Sequence, residues 1–425
     1  MARVNLLGPT RSNDRIAGLD IARGLALFCI FMVNVQVMTQ PLSYMLTGGK
    51  DEGIFATASY YVTRVLFESK SYPLFSMLFG MGMMLMYDRA KAAGRAFAFP
   101  YFRRLLLLLL VGMAHAWLVW YGDILIYYAL IGMIVMWLAP LRPKPMLIIA
   151  AALVAFSAIW ASGVMYLIPS LEAETQPDLD VAGFVEFRDA LMAGDIQNGP
   201  ENAAWTTGEI DAFAEGPFLN AIGMRLINWT ASIIVWLLLY ATFLHVPAMF
   251  LLGGALLRSG VLTNPDSKWP QRFMLLGLVV GLPGAIGAVV LSDVTGPTSP
   301  LVGLTIGVVH VFGPFMSLGY LGLALWLGRS AVGAVILKAV AAAGRMALTN
   351  YLLQSLLVAA LAQHWGLGLF GEVSRLAMLG IVFGIYAFQL VFSSLWLSRF
   401  TMGPFEYGWR CGIYFKLPKL MKTGG

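Results

Sequence analysis

The sequence predicts an all-α protein, a polytopic transmembrane helix bundle of about ten spans with both termini cytoplasmic. Of its 425 residues 59% are hydrophobic and 12% charged, and the mean hydropathy is +0.77, more apolar than a soluble core requires. Apolar runs near bilayer length recur along the whole chain. Basic residues gather after every second run, as expected where Lys- and Arg-rich loops stay cytoplasmic. The net charge of +6 belongs to those loops, so it gives no reason to expect a nucleic-acid partner.

The first run, Ala17 to Met38, is long and lacks a small-residue cleavage site, so it reads as a retained span rather than a secretory signal. The next runs are Tyr72 to Tyr87, Leu105 to Trp120, Ile124 to Leu138, Met146 to Ile168, and Ser232 to Leu257. Phe273 to Leu291, Leu301 to Leu327, Met346 to Ala362 and Ala377 to Leu397 complete the ten. Arg3, Arg11 and Arg15 precede the first; Arg89 and Lys91, Arg142 and Lys144, Arg258 and Lys268, Arg329 and Lys338, and Arg399 and Lys416 follow the even-numbered ones. The complement lies on the other side: Pro169 to Asn220 carries eleven of the 22 carboxylates against a single Arg188. Residues 1–425 therefore form one integral membrane domain, with N-terminal helices over 17–168, an acidic outer segment over 169–220 and C-terminal helices over 221–425. Val181 to Met192, within the acidic segment, is amphipathic and reads either as a helix over the outer mouth or as a solvated loop.

Apolar character before the second span starts at Ile54, too early for one straight crossing. Ile54 to Phe67 reads as an aromatic-rich interfacial helix and Pro73 as part of the break leading into the membrane. Glu68 and Lys70 then fall near the outer boundary. Gly277 and Gly281 form a small-xxx-small pair that marks tight helix packing.

Chemistry points to the third and fourth spans. His115 and Asp123 flank the short Trp120-Tyr121-Gly122 turn of an antiparallel hairpin, where ionisable groups are costly and face the protein interior or water. Asp123 reads either as the helix N-cap or as the partner of His115. Asp20 and Arg23 share a face of the first span, with Asn34 about three turns deeper. Arg345, Thr349, Asn350, Gln354 and Ser355 put a polar stripe on the ninth span, which lipid cannot satisfy. Arg23, Arg103, Arg104, Arg345 and Arg410 form a cytoplasmic cluster suited to phosphates, such as those of an acyl-CoA, although positive-inside topology alone predicts many of them. His245, His310 and His364 are isolated and read as structural. HExxH, paired CxxC, P-loop and GxSxG motifs are absent, so metalloprotease, redox, NTPase and nucleophile-elbow readings lack support, and no spacing asks for a metal. Cys29 and Cys411 lie too far apart in topology for a useful disulfide.

These pieces together resemble a known family. Leu19-Asp20-Ile21-Ala22-Arg23-Gly24 leading to Asn34, Ser69-Lys70 and Pro73 to Gly80, Arg103, Arg104, Gly112, His115, Gly122 to Leu125, Gly344 to Gln354, and Gly403, Pro404, Glu406, Trp409 and Arg410 are similar to the YeiB-like bacterial inner-membrane proteins, whose C-terminal part is domain-of-unknown-function family 418. The opening Leu-Asp-x-x-Arg-Gly span is more remotely similar to membrane acyltransferases, among them heparan-alpha-glucosaminide N-acetyltransferase and bacterial polysaccharide O-acyltransferases. That resemblance implies acyl transfer from a cytoplasmic donor to a small-molecule or glycan acceptor at the outer face. The first span lacks the early histidine of the polysaccharide enzymes, which shifts the catalytic role to His115.

The expected catalytic set is His115 as base, Asp123 orienting it, and Asn34 or Lys70 at the oxyanion, with Glu68 nearby. Two alternatives stay open: a proton-coupled transporter or exporter of a small solute, and a non-catalytic scaffold. The bilayer is the expected partner, no cofactor is certain, an acyl-CoA is the candidate donor substrate, and the sequence leaves a homo-oligomer open.

Overall fold

Within a bilayer each backbone N–H and C=O has to be satisfied inside its own segment, and the apolar runs meet that demand as helices. The computed structural model describes residues 17–42, 44, 53–173, 204–233, 241–264, 266–295, 301–329, 334–414 and 417–422, and no strand occurs among them. The amphipathic stretch expected over Val181 to Met192 lies outside the described residues, as do Arg3, Arg11, Arg15 and Lys416.

The helices are α1 (Ala17–Thr39), α2 (Ile54–Leu66), α3 (Ser71–Ala92), α4 (Ala98–Leu118), α5 (Leu125–Val135), α6 (Pro143–Ala173), α7 (Ala204–Ile210) and α8 (Phe218–Ile233). They continue as α9 (Thr242–Arg258), α10 (Trp269–Leu276), α11 (Leu282–Thr295), α12 (Val302–Arg329), α13 (Ala334–Arg345), α14 (Ala347–Ala362), α15 (Arg375–Arg399) and α16 (Pro404–Tyr414). A π-helical turn, Gly277–Gly281, joins α10 to α11 into one rod.

Among the described residues six helical stretches are long and apolar enough to cross a membrane: Gly18–Thr39, Ala98–Leu118, Pro143–Val164, Trp269–Thr295, Gly303–Arg329 and Arg375–Arg399. A seventh arises if α13 and α14, bent by 87° at Met346, count as one broken span. The other predicted crossings fall on α3, on α5, which is short, and on α9, of 17 residues. Much of α3 and α9 is wrapped by neighbouring helices. Met77, Met81, Met83 and Met84 of α3 are sealed in the core, so protein rather than lipid decides their side chains.

Lipid tails are as apolar as leucine, so helices in a membrane associate through close packing rather than through a hydrophobic drive. In the α3/α9 contact, a Cβ on Gly80 would fall 2.1 Å from the Phe250 carbonyl oxygen, and one on Gly253 2.0 Å from that of Met77. Gly277 meets Gly319 of α12 and Gly281 meets Met316, so the predicted small-residue pair is indeed a packing device. The polar stripe of α14 also faces protein. Asn350 donates to Ser393 Oγ (2.9 Å), Gln354 to Gln389 (2.9 Å), and Gln389 back to the Asn350 carbonyl (2.7 Å), which stitches α14 to α15.

The bundle has two chemically different ends. At one, Gly18 touches Gly328, Gly344 packs on the Asp20 carbonyl, and Arg258 holds Asp88 together with the carbonyls of Ala139 and Leu141. This is the end where the basic segments collect. At the other, α7 and α8 close over the ends of α1, α4 and α14, and Phe31, Val35 and Met38 pack with Trp120, Phe213 and Ala362.

Candidate active site

His115 stands three residues before the end of α4. Its carbonyl accepts the N–H groups of both Val119 and Trp120 at 3.0 Å, which ends the helix and turns the chain toward Asp123. Asp123 then serves two purposes at once. Its Oδ1 accepts the Ile126 N–H at 2.9 Å and caps α5, while Oδ2 lies 2.7 Å from His115 Nδ1. Both readings of this residue hold together. Gly112, one turn before the histidine, makes the approach possible, because a Cβ there would lie 2.8 Å from Asp123 Oδ1.

His115 and Asp123 are only 4% and 1% exposed. An ionised carboxylate can only accept, so opposite it Nδ1 carries the hydrogen, and in the neutral imidazole the lone pair then lies at Nε2. That Nε2 is buried and has no hydrogen-bond partner among the described residues. The Tyr351 ring lies 5.4 Å away between centroids and the Trp120 indole 6.3 Å away. A fixed tautomer with an open nitrogen is the arrangement a general base needs.

The cap above this hairpin is built around Arg225, whose side chain is fully buried. Its guanidinium donates to Gln363 Oε1 and to the Trp117 carbonyl (3.4 Å), and Gln363 in turn donates to the Val119 carbonyl (3.0 Å). A cation and an amide thus satisfy the open carbonyls at the α4 C-terminus, where the helix dipole favours positive charge. Glu209 of α7 ties α1 to this cap, accepting from Leu42 N at 2.9 Å and from Asn228 at 2.5 Å. Burial pushes its carboxyl up to about 7. The sequence offered little to single out Arg225, Gln363 or Glu209, because their partners lie far away along the chain.

Glu68 and Lys70 are not brought to His115. With Ser69 they line a separate cavity of about 120 Å³ between the α2–α3 break, α11 and α12. Lys70 Nζ donates to the Arg64 carbonyl at 2.8 Å, and Arg64 pairs with Asp293 at 2.8 Å and Glu68 at 3.7 Å. His310 faces the same cavity and stacks on His245 at 4.7 Å. One sequence signal for this arrangement exists. Pro314 lacks an N–H, which frees the His310 carbonyl four residues earlier, and His245 Nε2 fills the vacancy at 3.1 Å. Asn34, half-buried on α1, has no hydrogen bond to His115 among the described residues.

The five candidate phosphate-binding arginines map to the basic end, on α1, α4, α13 and α16. Arg23 pairs with Asp20 at 2.7 Å, Arg103 lies over Phe99, Arg104 lies over Trp409 at 4.6 Å, and Arg345 reaches the Thr401 carbonyl at 3.5 Å. Arg410 lies on α16, which packs against α4 and α14. Glu406 accepts from the N–H groups of Leu348 (2.8 Å) and Thr349 (3.1 Å), capping α14. Burial raises its carboxyl above the usual range.

Fold and site together define a class: helical proteins of membrane type that hold a buried His–Asp pair inside a hairpin. The chain belongs to the family that includes YxaH and YeiB, and the family described as "Protein of unknown function (DUF418)" matches residues 256–416. It is 34% identical to the uncharacterised protein YxaH of Bacillus subtilis (strain 168), over 98% of each chain. It is 28% identical to the uncharacterised protein YeiB of Escherichia coli (strain K12), over 93% of this chain and 96% of that one. An uncharacterised 39.9 kDa protein in the amylase 3′ region of Bacillus acidopullulyticus is 26% identical, over 98% of this chain and 99% of that one. No solved structure matches.

Proposed function

We propose that this protein spans the bacterial inner membrane about ten times with both termini cytoplasmic, and transfers an acyl group from a cytoplasmic acyl-CoA to a hydroxyl or amine acceptor at the outer face. The observation that carries the reading is His115: buried, held in one tautomer by Asp123, and open at Nε2. In the reaction, Nε2 takes the proton of the acceptor as its oxygen or nitrogen bonds to the thioester carbonyl carbon. The tetrahedral intermediate then expels the thiolate with the C–S electron pair, and the imidazolium returns a proton to that sulfur.

Of the two donors the sequence offers for the oxyanion, Asn34 fits better than Lys70. It lies on the part of α1 whose Phe31, Met32 and Val35 share a core cluster with Trp120 and Tyr121. Arg103 and Arg104 lie twelve and eleven residues before His115 on α4, a rise of roughly 17 Å along the axis. Arginines at one end and a base near the other suit a donor whose phosphates stay at the cytoplasmic face while its acyl end reaches inward.

A second reading, proton-coupled transport, draws on a buried polar track in which Tyr128 bonds Ser76 (2.9 Å), Ser76 bonds the Tyr72 carbonyl (2.7 Å), and Tyr72 bonds His245 (3.0 Å). One experiment tests the first reading: purified protein in proteoliposomes with radiolabelled acetyl-CoA and longer acyl-CoAs, followed by release of free thiol. Wild type is expected to turn over the thioester when a hydroxylated or amine acceptor pool is present, and His115→Gln to lose at least ~100-fold of that rate. Equal rates in the two proteins, or no thiol release from any acyl-CoA, would sink it; solute uptake driven by a proton gradient would replace it with transport.

A further inference from the structure

The cavity beside the α2–α3 break has no part in the reaction proposed for His115, yet it has the character of a built site. Lys70 is 3% exposed, and among the described residues its ammonium has a single hydrogen-bond acceptor, the Arg64 carbonyl. Among the described residues no carboxylate comes within ion-pair distance of Nζ: the guanidinium of Arg64 takes up Asp293 and Glu68. A buried ammonium with a neutral carbonyl as its acceptor is costly, and an anion in the cavity lowers that cost.

Across the cavity, His310 is 2% exposed, the Ser157 backbone carbonyl lies beside its ring, and Nδ1 is buried with no partner among the described residues. The ring nitrogen that meets a carbonyl carries the hydrogen, so Nδ1 is an acceptor waiting for a donor. The Thr305 hydroxyl, also lining the cavity, is buried and has no partner among the described residues. These three groups ask for a ligand with a negative end and a hydrogen-bond donor. A volume of about 120 Å³ suits a small molecule.

The backbone is set around the same place. Ser69 is held at φ 58°, a left-handed conformation rare for a residue with a side chain, and its carbonyl packs against Gly313 of α12. Ser317 donates to the Lys70 carbonyl at 2.7 Å. The break that carries Lys70 is therefore fixed to the helix that carries His310.

We infer that this cavity binds a small monocarboxylate bearing a hydroxyl or amino group, its carboxylate on Lys70 and its donor on His310 Nδ1. Lysine offers a single point charge that carboxylate and phosphate can both meet, so inorganic phosphate is the competing probe; the forked donors of Arg64 are already committed to Asp293 and Glu68. The site stands apart from the His115 chemistry and does not depend on it.

The test is calorimetric titration of the full-length protein in lipid nanodiscs with lactate, glycine, acetate and inorganic phosphate, against Lys70→Met, His310→Phe and His115→Gln. Lactate or glycine is expected to bind saturably, and acetate, which lacks the second group, at least ~10-fold more weakly. Lys70→Met should abolish binding of all three carboxylates. His310→Phe should bring lactate or glycine down to the level of acetate, and His115→Gln should bind as wild type does. Size-exclusion profiles and thermal midpoints establish that the variants are folded; if Lys70→Met does not fold, Lys70→Arg, too large and differently shaped for the cavity, serves in its place and should weaken lactate and glycine at least ~10-fold. Binding of phosphate in preference to every carboxylate, undiminished binding by the Lys70 variant, or no heat from any of the four probes would overturn the assignment. Since His115→Gln reads out here as wild type, failure of acyl transfer and failure of this site are separate results.

Discussion

At the scale of single residues, Asp123 decides what His115 can do. One oxygen caps α5 and the other orients the imidazole, so the two tasks can be pulled apart by substitution. Asp123→Asn keeps a side chain that caps as well as aspartate. If the amide oxygen stays on the Ile126 N–H, its NH2 turns to His115 Nδ1, which then has to accept, and the hydrogen moves to Nε2. The expected outcome is a folded protein with a near-wild-type thermal midpoint, transfer activity down at least ~100-fold, and an inverted tautomer in the ¹⁵N imidazole spectrum. Gly112→Ala tests the same geometry through packing. A Cβ 2.8 Å from Asp123 Oδ1 and 2.9 Å from the Ile126 backbone nitrogen has little room to shift, so thermal unfolding should show a loss of about 1–3 kcal/mol.

At the scale of elements, the cap of α7 and α8 is held to α1 by one buried carboxylate. Glu209 titrates at about 7 in the fold against an ordinary 4.5, because burial disfavours its charge more than Leu42 N and Asn228 favour it. Between those values the closed cap holds one proton more than the opened one. Stability of the closed form is therefore fully present below pH 4.5, falls as pH rises toward 7, and levels off above, by at most about 3 kcal/mol. Hydrogen exchange of the Leu42 amide and of α7, corrected for intrinsic rates, should report more opening at pH 8 than at pH 5. Glu209→Gln, always neutral, should remove that dependence; an unchanged pH profile in the variant would assign the effect elsewhere. The hairpin of α4 and α5 could be read in the sequence because its signals are local: two apolar runs, a turn too short to separate them, and the titratable pair at either side. The Arg225–Gln363 brace of the same hairpin could not, since its two side chains stand 138 positions apart and neither carries a motif.

At the scale of the whole molecule, charge sorts the two ends. Arg23, Arg104, Arg258, Arg329 and Arg345 collect where α1 begins and α12 and α13 finish, away from the cap of α7 and α8. Fluorescent-protein fusions at the C-terminus should glow in the cytoplasm, and alkaline phosphatase inserted near residue 190 should be active outside; the reverse pattern would invert the proposed orientation. Composition and periodicity by themselves determined an all-helical, membrane-type chain and the hairpin that carries His115 and Asp123, because apolar run length, basic loops and short turns are properties of neighbouring residues; the family was read from the resemblance of motifs spread along the chain. Only the tertiary structure decided that Glu68 and Lys70 serve a cavity with His310 and not the His115 site, that Glu406 caps α14, and that the polar stripe of α14 faces α15. Those pairings join residues tens to hundreds of positions apart, and which of them meet is set by how close glycine-lined helix faces can pack, a fact that no single stretch of sequence carries.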